Sequence, residues 1–198
     1  MRELNVALQL SPTNVENHLI MADAYNRAYD WSSAVFSLRY VLHSQPKCER
    51  ALTALRKVYM LMGKEVMLKK LYEEAIAQFK HALKYDPTYV EGWTLMSKCF
   101  VHLSDYKSAI EAIGRSIALA GATTVDLFVL RAKLYWVMGL EKPGNADMRR
   151  ALEMDKNHPE VLSFLDRSFQ RAQFLYNRGI SQLDAGDHPA ALASMEQA

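Results

Sequence analysis

Cysteine is nearly absent. The 198 residues hold two, Cys48 and Cys99, far apart and without metal-ligand spacing. That excludes a disulfide framework and points to a reducing compartment. Glycine (8) and proline (6) are scarce, which excludes collagen-like and low-complexity chains. Charge of one sign is lacking too: 24 basic residues face 22 acidic ones, and no Lys/Arg block occurs. The usual electrostatic footprint of a nucleic-acid module is therefore missing. The longest apolar run, Leu134 to Leu140, is far short of the roughly 20 residues that span a bilayer. No apolar run follows Met1-Arg2-Glu3-Leu4-Asn5 to serve as a signal peptide. Half of the residues are apolar, too many for a disordered chain. The expectation is a soluble cytoplasmic protein with no nucleic-acid and no membrane partner.

Catalytic signatures are equally sparse. Gly63-Lys64 lacks the upstream glycine and the following hydroxyl of a phosphate-binding loop. The six histidines, His18, His43, His81, His102, His158 and His188, form no paired metal motif. No nucleophile elbow is present. No enzyme activity, cofactor or metal is expected.

What is there is repetition. Pro12 and Pro46 stand 34 residues apart, and Pro46 and Pro87 stand 41 apart. Each proline follows an apolar-periodic run, as in Ala82-Leu83-Lys84-Tyr85-Asp86-Pro87. Proline cannot continue a helix and disfavours helical geometry in the residue before it. A 34-residue frame beginning at Val15, Glu49, Val90 and Val125 puts Tyr25, Tyr59, Phe100 and Tyr135 at the eleventh place. Small residues recur at the twentieth, at Ala34, Ala75, Ala109, Gly144 and Ala191, once an insertion is allowed for. Gly63, Gly139 and Gly186 read as the ends of first helices, where a left-handed cap suits glycine. Two amphipathic helices fit each frame, and no alternating pattern competes as a strand. Short polar connections such as Ser104-Asp105 imply antiparallel neighbours.

These residues resemble the tetratricopeptide repeat (TPR) family. The resemblance is carried by Trp93, Met96, Phe100, Tyr106, Ala109 and Ile113, and by Tyr72-Glu73-Glu74-Ala75-Ile76, Phe79, Ala82-Leu83 and Asp86-Pro87. The tail from Leu175-Tyr176-Asn177-Arg178-Gly179 through Gly186-Asp187 to Ala191 matches equally well. It implies an all-α solenoid of stacked antiparallel helix pairs, curved as part of a superhelix. The expected organisation is an array over 1–158: a partial unit at 1–14, then repeats at 15–48, 49–89, 90–124 and 125–158. An extra helix follows at 159–171, then a truncated fifth repeat at 172–198. Both ends look unfinished, so the chain reads as a segment of a longer array.

Departures from the pattern carry expectations of their own. Arg56 falls at the eighth place of its frame, where a small residue is usual. Seven extra residues, Lys64 to Lys70, stand between the helices of the second frame. Seven residues are about two helical turns, so a lengthened helix would keep Tyr72 facing inward. The helix over 159–171 is expected to interrupt or re-aim the stack.

The resemblance also implies that first helices line a concave groove, and three-and-four spacing puts certain places on one face. The ninth place carries Asp23, Lys57, Lys98 and Lys133. The twelfth carries Asn26, Met60, Val101 and Trp136, and the thirteenth carries Arg27, Leu61, His102 and Val137. A lysine row beside an apolar row suits a protein or peptide partner that is acidic and partly apolar, with Trp136 as anchor. The groove candidates are Lys57, Lys98, Lys133, Met60, Val101, Trp136, His102 and Arg27. An equally open alternative has the lysines solvated and the apolar residues packed beneath neighbouring helices. The clamp that holds Hsp70 and Hsp90 tails in some relatives is not expected, because Leu19, Asp23, Ala54, Glu91 and Leu95 occupy its places.

The expected function is a non-catalytic interaction scaffold. Two alternatives stand beside it: a structural subunit of a larger ciliary or cytoskeletal assembly, and a regulatory array for an enzyme domain outside this chain.

Overall fold

A computed structural model describes residues 14–120 and 124–197. The expected partial unit at 1–14 lies, except for Asn14, outside the described residues. Ten helices are present among the described residues: α1 (Val15–Arg27), α2 (Trp31–Ser44), α3 (Glu49–Leu68), α4 (Tyr72–Tyr85), α5 (Val90–His102), α6 (Tyr106–Ala120), α7 (Val125–Val137), α8 (Glu141–Met154), α9 (Pro159–Asp184) and α10 (His188–Glu196). The chain divides into two compact units, Met1–Gly121 and Ala122–Ala198. The first stacks three antiparallel pairs, α1/α2, α3/α4 and α5/α6. The second holds α7/α8 and α9/α10. The architecture is all-α and solenoid-like.

The pairs are held by small residues at a fixed spacing. Ala34, Ala75, Ala109 and Ala191 are fully buried on the second helices. Twelve residues before each of the five twentieth-place residues, on the first helix, stand Ala22, Gly63, Ser97, Ala132 and Gly179, all buried. At these positions the helix backbones approach each other. A Cβ on Gly63 would lie 2.5 Å from Phe79 Cε1, and one on Gly179 would lie 2.8 Å from Met195 Cγ. A full turn pair further along the second helix, Val41, Ala82, Ser116 and Ala151 are also sealed from solvent. Around this spine lies an apolar core that includes Leu38, Leu55 and Phe79 in the first unit. Fully burying a side chain such as Phe79 contributes about 1.5–3 kcal/mol.

Five turns between paired helices share one geometry. The amide of Asp30, Leu71, Asp105, Leu140 and Asp187 donates to the carbonyl of Tyr25, Val66, Phe100, Tyr135 and Gln182, respectively. The residue before each donor has positive φ: Tyr29 (60°), Lys70 (62°), Ser104 (60°), Gly139 (73°) and Gly186 (80°). Three aspartates then cap the following helix: Asp30, Asp105 and Asp187 accept from the amides of Ser33, Ser108 and Ala190. The bonds from Ser33 and Ser108 hold the Asp30 and Asp105 carboxyls below the ordinary range. Leu71 and Leu140 take the same place and supply no side-chain cap.

This turn geometry corrects the register of the second pair. Gly63 does not end a helix: it is buried inside α3, and Lys70 supplies the left-handed turn residue. Val66 rather than Tyr59 therefore takes the eleventh place, and Gly63 rather than Arg56 takes the eighth. Arg56 instead reaches Asp86, with Nη1 2.6 Å from Oδ2 and its guanidinium over the Tyr89 ring. The seven extra residues do lengthen a helix, as two added turns should. The apolar segment at 159–171 joins the segment after it without a break, because no glycine or proline intervenes, and α9 runs 26 residues.

Left-handed backbone costs a non-glycine residue roughly 1–2 kcal/mol, which yields a test. Lys70→Gly should raise the unfolding free energy by about 0.5–1 kcal/mol. Gly139→Ala, which meets no atom within 4 Å, should lower it by about 1 kcal/mol from φ alone. Urea unfolding followed by circular dichroism measures both.

Candidate functional site

The first unit carries a cleft between α1 and α3. It encloses a cavity of about 370 Å³ lined by Leu19, Asp23, Asn26, Arg50, Ala54 and Lys57 among others. At its edge Arg50 grips Glu16 with two bonds of 2.8 and 3.0 Å, holding the Glu16 carboxyl below its usual range. Asn26 lines the cleft, and its Oδ1 is buried and accepts no hydrogen bond among the described residues. A buried acceptor left unmade costs about 1–3 kcal/mol. Lys57 is exposed beside it and makes no ion pair among the described residues.

The other groove candidates are distributed as follows. Lys98 is exposed on α5, and Val101, one turn on, is half-buried. His102 stacks flat on Tyr72, with ring centroids 4.3 Å apart. Arg27 is tied to Asp23 on its own helix at 2.7 Å. Met60 is only 4% exposed and belongs to the core; its sulfur lies near Gly92, so it offers a ligand no surface. Lys57 and Lys98 belong to the first unit, and Lys133 to the second.

In the second unit Lys133 is exposed but bonded to Glu160 at 2.5 Å. Trp136 is a packing element. Its Nε1 donates to Asn145 Oδ1 at 3.1 Å, and its ring stacks on Phe164 with centroids 5.3 Å apart. It also presses on Gly144, where a Cβ would fall 2.5 Å from Nε1. Nearby, Arg131 holds Asp147 through two bonds of 2.7 Å. The bond to Asp147 raises the Arg131 guanidinium above its ordinary value.

Two groups were not legible as site residues. Lys64, read as part of an insertion, takes the ninth place when counted from the turn and bonds Glu91 at 2.7 Å; that contact and the Tyr89 hydroxyl hold the Glu91 carboxyl below its usual range. Counting eleven residues back from Ala75 would have found it. The buried acceptor on Asn26 has no sequence signal, because its isolation depends on packing. Cys99 is fully buried, and desolvation pushes its thiol up to about 11, so it behaves as a small apolar side chain. Among the described residues, no three His, Cys, Asp or Glu side chains gather to hold a metal ion. No described helix is long and apolar enough to cross a membrane.

Antiparallel pairs with a recurring small-residue contact and a shared turn define a helical-repeat protein. Residues 57–89 match the sequence profile of the tetratricopeptide repeat. Tetratricopeptide repeat protein 16 of Mus musculus is 27% identical over 167 residues, covering 84% of this chain and 22% of its own length. The protein of the same name from Homo sapiens is 27% identical over 169 residues, covering 84% and 19%. The chain thus spans about a fifth of the length of these relatives. Among solved structures, MamA superposes with a TM-score of 0.51 at 17% identity, covering 89% of this chain and 91% of its own. YrrB, described as a TPR protein with an unusual peptide-binding site, gives 0.51 at 15% identity, covering 98% and 89%. The first TPR of Spaghetti (RPAP3), bound to the Hsp90 peptide SRMEEVD, gives 0.52 at 19%, covering 58% and 90%. Residues 57–89 thus match a tetratricopeptide repeat, and the chain shares its fold with solved TPR structures.

The half-buried groups of the second unit predict a stability phenotype. Asp147→Asn, which leaves Arg131 without its carboxylate, should lower unfolding free energy by about 2–3 kcal/mol. Trp136→Ala should lower it by a comparable amount, about 2–4 kcal/mol, through lost packing on Phe164 and Gly144. Thermal or urea melts measure both; an unchanged Trp136→Ala melt would show the ring to be free.

Proposed function

We propose that the chain is a non-catalytic protein-interaction scaffold whose first helices hold an acidic, partly apolar peptide or helix. The observation that carries this reading is the α1/α3 cleft, lined by both Asn26, whose Oδ1 has no partner among the described residues, and Lys57, which makes no ion pair among them. Asn26 suits a backbone N–H of the ligand, and Lys57 suits a carboxylate beside it. Lys98 offers a second cation on the same face by place, and Leu19 and Ala54 supply apolar wall. Two similar folds described in connection with peptides support this use of the surface.

Geometry trims the site. Met60 lies in the core, Trp136 is half-buried and partly engaged by Phe164, Lys133 and Arg27 share their charge with acidic neighbours, and His102 stacks on Tyr72. Hsp70 and Hsp90 tails remain outside the expected ligands, since Leu19, Asp23, Glu91 and Leu95, with Leu61 in place of Ala54 once the second pair's register is corrected, do not supply the cations and amides of that clamp.

Selection from a random peptide library displayed on phage, followed by anisotropy titration of the recovered peptides, tests the proposal. Recovered sequences should be acidic. The double substitution Lys57→Glu and Lys98→Glu should weaken them at least about tenfold, or 1.4 kcal/mol, and Asn26→Leu should weaken them about fivefold. The peptide SRMEEVD should bind no better than its scrambled form. Recovered peptides indifferent to all three substitutions would overturn the site.

A further inference from the structure

Among the described residues, several large apolar side chains on α9 are exposed. Val161, Phe164, Leu175 and Gly179 share one face and pack within the second unit. A second stripe along the same helix is open: Leu162, Leu165, Phe169, Tyr176, Ile180 and Leu183 are all exposed, Phe169 to 68% and Tyr176 to 55%. Three-and-four spacing keeps these six on one side over the whole length. A monomer seldom leaves so many large apolar side chains contiguous without a partner.

The equivalent places on α7 dock a helix. Counted from the turn, Tyr176 and Leu183 occupy the places that Val129 and Trp136 occupy on α7. There Val129 is buried in a cluster with Val161 of α9, and Trp136 stacks on Phe164 of α9. On α9 the same places are bare.

The order of the stripe identifies the helix that fits. From Leu162 to Leu183 its successive spacings are three, four, seven, four and three residues, the same in either direction. An antiparallel copy of α9 thus sets Leu162 against Leu183, Leu165 against Ile180, and Phe169 against Tyr176. Such reciprocity, in which one residue meets a second and the second meets the first, is what a two-fold interface requires. Ala172 sits beside the centre, where a small side chain permits close approach. The six stripe residues carry no charge, and a net charge of +2 per chain opposes pairing only weakly.

We propose that two copies of this chain associate through the open stripe of α9, in antiparallel register about Ala172. The interface uses a surface separate from the α1/α3 cleft, so its test is independent of peptide binding.

Sedimentation equilibrium of the full chain should give twice the 22.6 kDa mass. The double substitution Phe169→Asp and Tyr176→Asp should raise the dissociation constant about a hundredfold or more with an unchanged circular dichroism spectrum. In a Cys48→Ser background, Phe169→Cys protein mixed with Tyr176→Cys protein should form a crossed disulfide. Phe169→Cys alone should not, because in this register its two copies stand about 10 Å apart along the axis, beyond disulfide reach. A monomer at all concentrations, including one whose stripe serves a different protein or a further repeat, would overturn the proposal. So would a dimer indifferent to the aspartates, or one that cross-links Phe169→Cys to itself.

Discussion

Everything in this fold depends on how closely two helices of a pair can approach. At Gly63 and Gly179 no room exists for even one extra carbon, and the facing groups are the rings or thioethers of the second helix. At Ala22, Ser97 and Ala132 the side chain is small and sealed. Close backbone contact lets Phe79 and Met195 lie across the partner helix instead of beside it. The bulk of each core then comes from residues a turn away. A single pair buries too little by itself, so within each unit one pair leans on the next. The aligned small residues set a common distance, which lets successive pairs stack.

The sequence made most of this visible, for a physical reason. Burial at fixed spacing leaves a periodic trace, and helix breakers mark the ends. Ala34, Ala75, Ala109 and Ala191 were readable as close contacts, and Gly139 and Gly186 as left-handed turns. The reading failed where two signals of equal strength competed. In the second pair, both Tyr59 and Val66 satisfy an apolar eleventh place, because seven residues return almost to the same side of a helix. Gly63 then looked like a terminus, since the true turn residue is Lys70, which has no sequence signature for positive φ. Nothing in composition marks a lysine that must be left-handed; the turn's hydrogen bond to Val66 imposes it.

The candidate site was less legible than the fold. A face can be deduced from spacing, but whether a side chain on it is available depends on what reaches it from elsewhere. Met60 and Lys57 were equally good candidates by count; one is core and the other is solvated. Trp136 was expected as an anchor because large aromatics usually are; it is half-buried, with Asn145 bonded to its Nε1 and Phe164 stacked on its ring. Lys133 lost its freedom to Glu160, 27 residues later in sequence. Spacing rules speak for one helix at a time, and availability is a property of three or four together.

The two added turns of α3 have an evolutionary corollary. Seven residues advance a helix by roughly 10 Å while rotating it by only about 20°, so both ends keep their bearings: Arg50 still meets Glu16, and Lys64 still meets Glu91. Growth of such a repeat is therefore quantised. Lineages that gain or lose seven or eleven residues in a first helix preserve the azimuth of every later contact, whereas a change of five would swing the downstream half of the pair into solvent. Length polymorphism in arrays of this kind should cluster at those increments.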